Sequence, residues 1–228
     1  MQSNQVLALC TTLTNYVCMT FLGRGELDDA DRALKILVEY ATKYELTYWL
    51  TWSTCFQGAL LTERGELKRG LVLMGSAFDK VSKVADHPRF TGLRGLYAEA
   101  LAQAGRLEEA LQIVDQTLDM IRPKGQLYVL PELLRIKSEI LRRRDDPVSL
   151  SKARELLDEG LDLARKQGSF RAQIRLAASL AKLKQSDVAH AAAVNELAQI
   201  YGRFSDGFET ADLRSARTVL EAEKNSKH

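Results

Sequence analysis

Proline and cysteine are scarce in this 228-residue chain, and charge of either sign is not in excess. Each shortage excludes something. The four prolines, Pro88, Pro123, Pro131 and Pro147, fall in loops or first helical turns, and no Pro- or Ser-rich linker divides the chain; one continuous domain over residues 1–228 is expected. The three cysteines, Cys10, Cys18 and Cys55, are odd in number and lack CxxC spacing. A disulfide framework and a cysteine-held zinc site are thereby excluded, and buried, reduced thiols are expected. With 32 basic against 30 acidic residues the net charge is +2, too balanced to argue for nucleic acid. The one basic triplet, Arg142, Arg143 and Arg144, is followed at once by Asp145 and Asp146 and reads as a solvated helix end.

Reaction motifs are missing too. No GxxxxGK[ST] phosphate loop, GxGxxG turn, HExxH or GxSxG occurs. The three histidines, His87, His190 and His228, stand isolated. No catalytic residue, metal or cofactor is therefore expected, and the chain reads as a non-enzyme. The most apolar stretch, residues 6–22, lacks a basic leader and carries Thr11, Thr12, Thr14, Asn15 and Thr20. It reads as the first helix of the fold, neither a targeting nor a membrane segment, in a cytoplasmic protein.

What is present is a period. Gly25, Gly65 and Gly105 lie forty residues apart, each followed two residues later by leucine: Leu27, Leu67 and Leu107. A small column (Cys18, Gly58, Ala98, Ser138) and a large apolar one (Phe21, Leu61, Leu101, Leu141) precede the glycines. A second small column (Ala30, Gly70, Ala110) and a second apolar one (Leu34, Met74, Val114) follow them. Each unit reads as two helices joined by a left-handed glycine cap. In the fourth unit three residues are inserted, residues 142–147 form a charged loop, and Ala153, Leu157 and Gly160 restore the second helix. A fifth unit carries Ala193, Leu197 and Ile200, with Val188 in place of the turn glycine. A last helix follows Thr210, and Tyr201, Phe204 and Phe208 plug the end.

The order small, large, Gly, small, large resembles the tetratricopeptide repeat. The resemblance implies an all-α fold: an α-solenoid of antiparallel helix hairpins in a right-handed superhelix, with about five repeats of ~40 residues and a C-terminal capping helix. Its units would be about 6–46, 47–86, 87–126, 127–168 and 169–202, with the cap at 203–224. Such arrays bind partners on the concave surface lined by first helices. By register that surface would carry Trp52, Gly92, Gly95, Glu99, Glu132, Arg135, Glu139 and Arg175, apolar at one end and charged at the other. This suits a protein or peptide segment. The alternative is a small-molecule sensor with its pocket near Trp52, Gly92 and Gly95. Tyr16, Phe56, Leu96 and Ile136 form one core column. The N-terminal helix would meet an upstream NTPase domain or a second copy, since no polar capping repeat precedes it.

Beyond the repeat, RLAASLAKLKQ (175–185) and YGRFSDGFETADLRSARTVLEA (201–222), with ELLRIKSEIL (132–141) and CFQGALLTERGELKRGL (55–71), resemble the helical tail of large bacterial signalling ATPases. Those proteins place a winged-helix DNA-binding domain or a nucleotide-cyclase domain before the NTPase. The resemblance implies a sensory or scaffolding module in signal transduction or transcription regulation, without direct contact to nucleic acid.

Overall fold

The computed structural model describes residues 3–81, 91–123, 127–183 and 186–225. Among them the regular structure is helical, with no strand. In chain order the helices are α1 (Ser3–Thr12), α2 (Cys18–Arg24), α3 (Leu27–Lys43), α4 (Thr47–Glu63), α5 (Leu67–Val81), α6 (Thr91–Gln103), α7 (Leu107–Ile121), α8 (Leu130–Arg142), α9 (Pro147–Lys166), α10 (Phe170–Ala181), α11 (Asp187–Tyr201) and α12 (Ala211–Asn225). The chain divides into two compact units, Met1–Arg106 and Leu107–His228. The expected unit boundaries at 86/87, with His87 and Pro88, and at 126, as well as His228, lie outside the described residues.

Chain reversals follow from glycine's freedom at positive φ. Gly25, Gly65 and Gly105 have φ of 74°, 87° and 80°, conformations that cost a side-chain-bearing residue about 1–2 kcal/mol. Each closes its helix in the same way. The Gly25 N–H donates to the Leu22 carbonyl (3.1 Å) and the Glu26 N–H to the Phe21 carbonyl (2.9 Å), and the same pair recurs at Gly65 and Gly105. The helices that follow begin at Leu27, Leu67, Leu107, Pro147 and Asp187, an unbroken forty-residue spacing.

That spacing corrects two sequence expectations. In the fourth unit the left-handed position is Asp145, φ 54°, forty residues after Gly105. The charged loop is present but spans only 143–146, and the extra length lies in α9. Arg142 still belongs to α8 and Pro147 already opens α9, which is 20 residues long against 15 for α7. The Asp146 carboxylate caps α9 by accepting from the Ser149 N–H at 2.9 Å, and the added turn moves the packing register to Ala153, Leu157 and Gly160, all buried. Val188 replaces no turn glycine: it lies in the first turn of α11, 83% exposed, behind the Ser186 cap.

In the first unit each helix packs on the next, from α2 on α3 through α5 on α6, and α4 also touches α2 and α6. Its core holds Leu37, Trp52, Phe56 and Met74. Small residues set the α4–α5 separation: a Cβ on Gly58 would lie 2.7 Å from the Gly70 carbonyl oxygen. Between α1 and α2 a π-helical turn, Leu13–Val17, inserts a residue into the helical register. Val6, Cys10, Leu13 and Cys18 are buried as a result, whereas Tyr16, expected in a core column, is 67% exposed. The run Asn4–Arg24 contains an 18-residue window of mean hydropathy 1.5, 33% of it buried within the fold, and meets the length and composition of a membrane-crossing helix.

In the second unit α7 packs on α8, α8 on α9, α9 on α10 and α10 on α11; α10 also packs on α8 and α12. Leu133, Leu134, Ile136, Ile140, Leu157 and Leu161 fill its core. The aromatics expected to plug the end form two separate pairs of partly buried rings, Tyr201 with Phe208 at 5.6 Å and Phe204 edge-on to Phe170.

Candidate functional site

In the first unit the expected ligand-stacking surface does not form. Trp52 is fully buried, edge-on to Tyr48 at 6.2 Å and to Phe78 at 6.4 Å. It fills the core, as a large aromatic commonly does, and offers no face to a partner. The dent expected at Gly92 is taken by Met19, whose Cε lies 2.8 Å from where a Cβ would stand. Gly95 is buried and Glu99 half-buried on α6. Trp52 thus presents no open face and the space at Gly92 is occupied by Met19, which corrects the sequence expectation of a dent open beside Trp52.

In the second unit the other four expected residues do converge. Glu132, Arg135 and Glu139 recur at intervals of three and four along α8, which places them on one helical stripe. Arg175, forty residues after Arg135, projects from α10 onto the same stripe. The Glu132 carboxylate sits between two guanidinium groups. Arg135 donates to it through Nη2 at 2.8 Å and Nε at 3.1 Å. Arg175 grips it as a fork, Nη2 to Oε1 at 2.8 Å and Nε to Oε2 at 3.1 Å, the bidentate geometry that arginine favours.

Arg175 also pairs through Nη1 with Asp212 Oδ1 at 2.8 Å, and Arg171 Nε pairs with Asp212 Oδ2 at 2.8 Å. One turn further along, Glu139 accepts from Arg142 Nε at 2.9 Å and from the Ser179 hydroxyl. Lys182, the C-terminal cap of α10, donates to Ser215 Oγ on α12 at 3.1 Å. A pocket of about 230 Å³ opens among α8, α10 and α12, lined by Arg135, Glu139, Arg175, Lys182, Asp212 and Ser215 with Ala178, Ser179 and Ala211.

Charge in this face is unbalanced. Among the described residues, the pocket and its immediate pairs hold five cations, Arg135, Arg142, Arg171, Arg175 and Lys182, against three carboxylates, Glu132, Glu139 and Asp212. The carboxylates feel that surplus. Burial opposes ionisation of Glu132, but the positive charge of Arg135 and Arg175 outweighs it and holds the carboxyl down at about 2. Glu139 is lowered as well: burial again opposes, and Ser179 with Arg142 prevails. The Lys182 ammonium is pushed below the ordinary lysine range: burial lowers it most, the Glu139 carboxylate opposes the shift, and the charges of Arg142, Arg135 and Arg175 add to it.

Sequence reasoning found Glu132, Arg135, Glu139 and Arg175 because they repeat with the helical period. It missed Arg171, Asp212 and Ser215. The last two lie on α12, outside the repeat register, so no column pointed to them. Among the described residues no His, Cys, Asp and Glu side chains group to hold a metal ion. No protein-family model matches the chain, and no curated protein matches it.

Proposed function

We propose that the chain is a tetratricopeptide-like module of stacked helix hairpins in a right-handed superhelix, capped by α12, that acts without catalysis by binding a protein or peptide segment. In this reading it is the sensory or scaffolding tail of a bacterial signalling ATPase or transcription regulator and works in the cytoplasm. The forty-residue spacing of the left-handed positions and helix starts supports the repeat. The observation that carries the binding role is the cation-rich α8–α10–α12 face, where five positive groups surround three carboxylates. A surplus of this kind steers an acidic segment and discriminates against a basic one.

The test is fluorescence anisotropy with labelled acidic, neutral and basic peptides of about twelve residues at low and high salt, where screening shortens the reach of surface charge. The proposal expects the acidic set to bind and to weaken with salt. Equal binding of all three sets, or of none, would refute it.

A further inference from the structure

We infer that the pocket among α8, α10 and α12 takes one carboxylate group of a compact ligand, with the Lys182 ammonium and the Ser215 hydroxyl as its two anchors. This deepens the reading of that face as a binding surface and names the group it recognises.

Every carboxylate on the face is already matched: Glu132 by Arg135 and Arg175, Glu139 by Arg142, Asp212 by Arg171 and Arg175, at distances of 2.8–3.1 Å. The guanidinium groups are locked in these pairs. Lys182 is different. Among the described residues it forms an ion pair with no carboxylate; its partner is the neutral Ser215 Oγ, 3.1 Å away. An ammonium carries three donors, so two remain. The Ser215 oxygen accepts from Lys182, which leaves its own O–H to donate. Two donor groups, the cationic ammonium with two N–H bonds and the hydroxyl with one O–H, therefore line the same pocket within reach of solvent, an arrangement that suits an anionic acceptor.

Size and charge narrow the class. At about 230 Å³ the pocket falls below the roughly 300–1,000 Å³ typical of sites for drug-sized ligands, so the group it admits is compact. Lys182 makes no direct ion pair and feels the Glu139 carboxylate only at longer range, so it balances at most one further negative charge. Glu139 and Asp212 line the same pocket and repel a second, so a singly charged carboxylate fits better than a doubly charged phosphate. The lowered lysine agrees with this geometry: a partly desolvated ammonium, with three arginines nearby that Glu139 only partly offsets, is stabilised by an incoming anion. The carboxylate has two possible sources, a free acid or an acidic residue of a bound segment, and the chemistry at Lys182 is the same for both.

The experiment titrates the full chain with three probes: N-acetylglycine as a free acid, a blocked glycine pentapeptide with one central glutamate, and inorganic phosphate. The readout is the backbone amide NMR shifts of α8, α10 and α12, with Lys182→Gln, Lys182→Arg and Ser215→Ala as variants and thermal melts as the folding control. The expected result is saturable binding of at least one carboxylate probe, weakened about tenfold or more by Lys182→Gln, the effect of losing a charged hydrogen bond. Lys182→Arg should retain most of the affinity and Ser215→Ala should lose several-fold.

The better of the two carboxylate probes identifies the source. Absence of any carboxylate binding, carboxylate binding that Lys182→Gln leaves unchanged, or tighter binding of phosphate would overturn the inference. If acidic peptides bind the face but ignore Lys182→Gln, the partner-binding reading stands and the carboxylate pocket falls. If only the free acid binds, the pocket stands and the peptide reading falls.

Discussion

Adding a single methyl group at position 58 should destabilise the fold, although the same change in most helices stabilises it. Gly58 lies in the middle of α4. In an unobstructed helix interior, replacing glycine by alanine gains about 1 kcal/mol. Here a Cβ would stand 2.5 Å from Met74 Cγ, 2.7 Å from the Gly70 carbonyl oxygen and 3.0 Å from the Met74 nitrogen. Two of the three obstacles are backbone atoms of α5, which cannot rotate away. Facing Gly70 is as tightly placed, since a Cβ on it would come within 2.6 Å of the Gly58 oxygen. Relief requires the two helices to part, and overpacking of this kind costs about 1–3 kcal/mol or more. The backbone obstacles place the cost at the upper end of that range, so against the helical gain Gly58→Ala should lower stability by up to about 2 kcal/mol.

Gly92→Ala is the control. The obstacle there is the terminal methyl of Met19, 2.8 Å away, and a long flexible side chain can yield. The net effect should lie between zero and about 1 kcal/mol of stabilisation. Urea unfolding followed by circular dichroism measures both. A Gly58→Ala midpoint at or above wild type would refute the close approach of α4 and α5.

Further outcomes follow from the same structure. Gly105→Val, at φ 80°, should cost about 1–3 kcal/mol in the same unfolding assay, because a β-branched residue is strained in the left-handed region. Trp52→Ala should lower stability by about 3–5 kcal/mol, as a core truncation does, and should leave the affinity of the folded protein for acidic peptides unchanged. Glu132, held at about 2 against an ordinary value of 4.5, should contribute stability that is fully present above pH 4.5 and is lost as pH falls toward 2. Glu132→Gln should therefore make the fall of the urea midpoint across that window shallower. Burial raises the thiols of Cys10, Cys18 and Cys55, with Cys18 pushed up to about 12. An aromatic disulfide reagent at pH 8 should label none of the three until the chain unfolds.

The parts legible in the sequence are those where the backbone demands a particular residue. Gly25, Gly65 and Gly105 announced themselves because left-handed caps select glycine. Asp145 fills the same place with a side chain, a less common choice that aspartate tolerates, so the fourth turn looked like an insertion when its backbone kept the period. The π turn at Leu13–Val17 has no residue signature, and it rotated Tyr16 out of the core column to which simple counting assigned it. Trp52 failed for another reason. Register places a residue on a helix face, but whether that face meets solvent or another helix depends on neighbours such as Met19 and Phe78. The charged site was half visible. Glu132, Arg135, Glu139 and Arg175 repeat with the helix, whereas Asp212 and Ser215 arrive from a terminal helix that obeys no repeat.

The most direct test of the central claim, that the α8–α10–α12 face receives an acidic segment, is to map amide and methyl NMR shifts of the full chain on titration with an acidic peptide. The account predicts that the perturbed residues cluster at Arg135, Glu139, Arg175, Ser179, Lys182, Asp212 and Ser215. Perturbations gathered elsewhere, for instance along α3 and α5, or no saturable change at all, would contradict it.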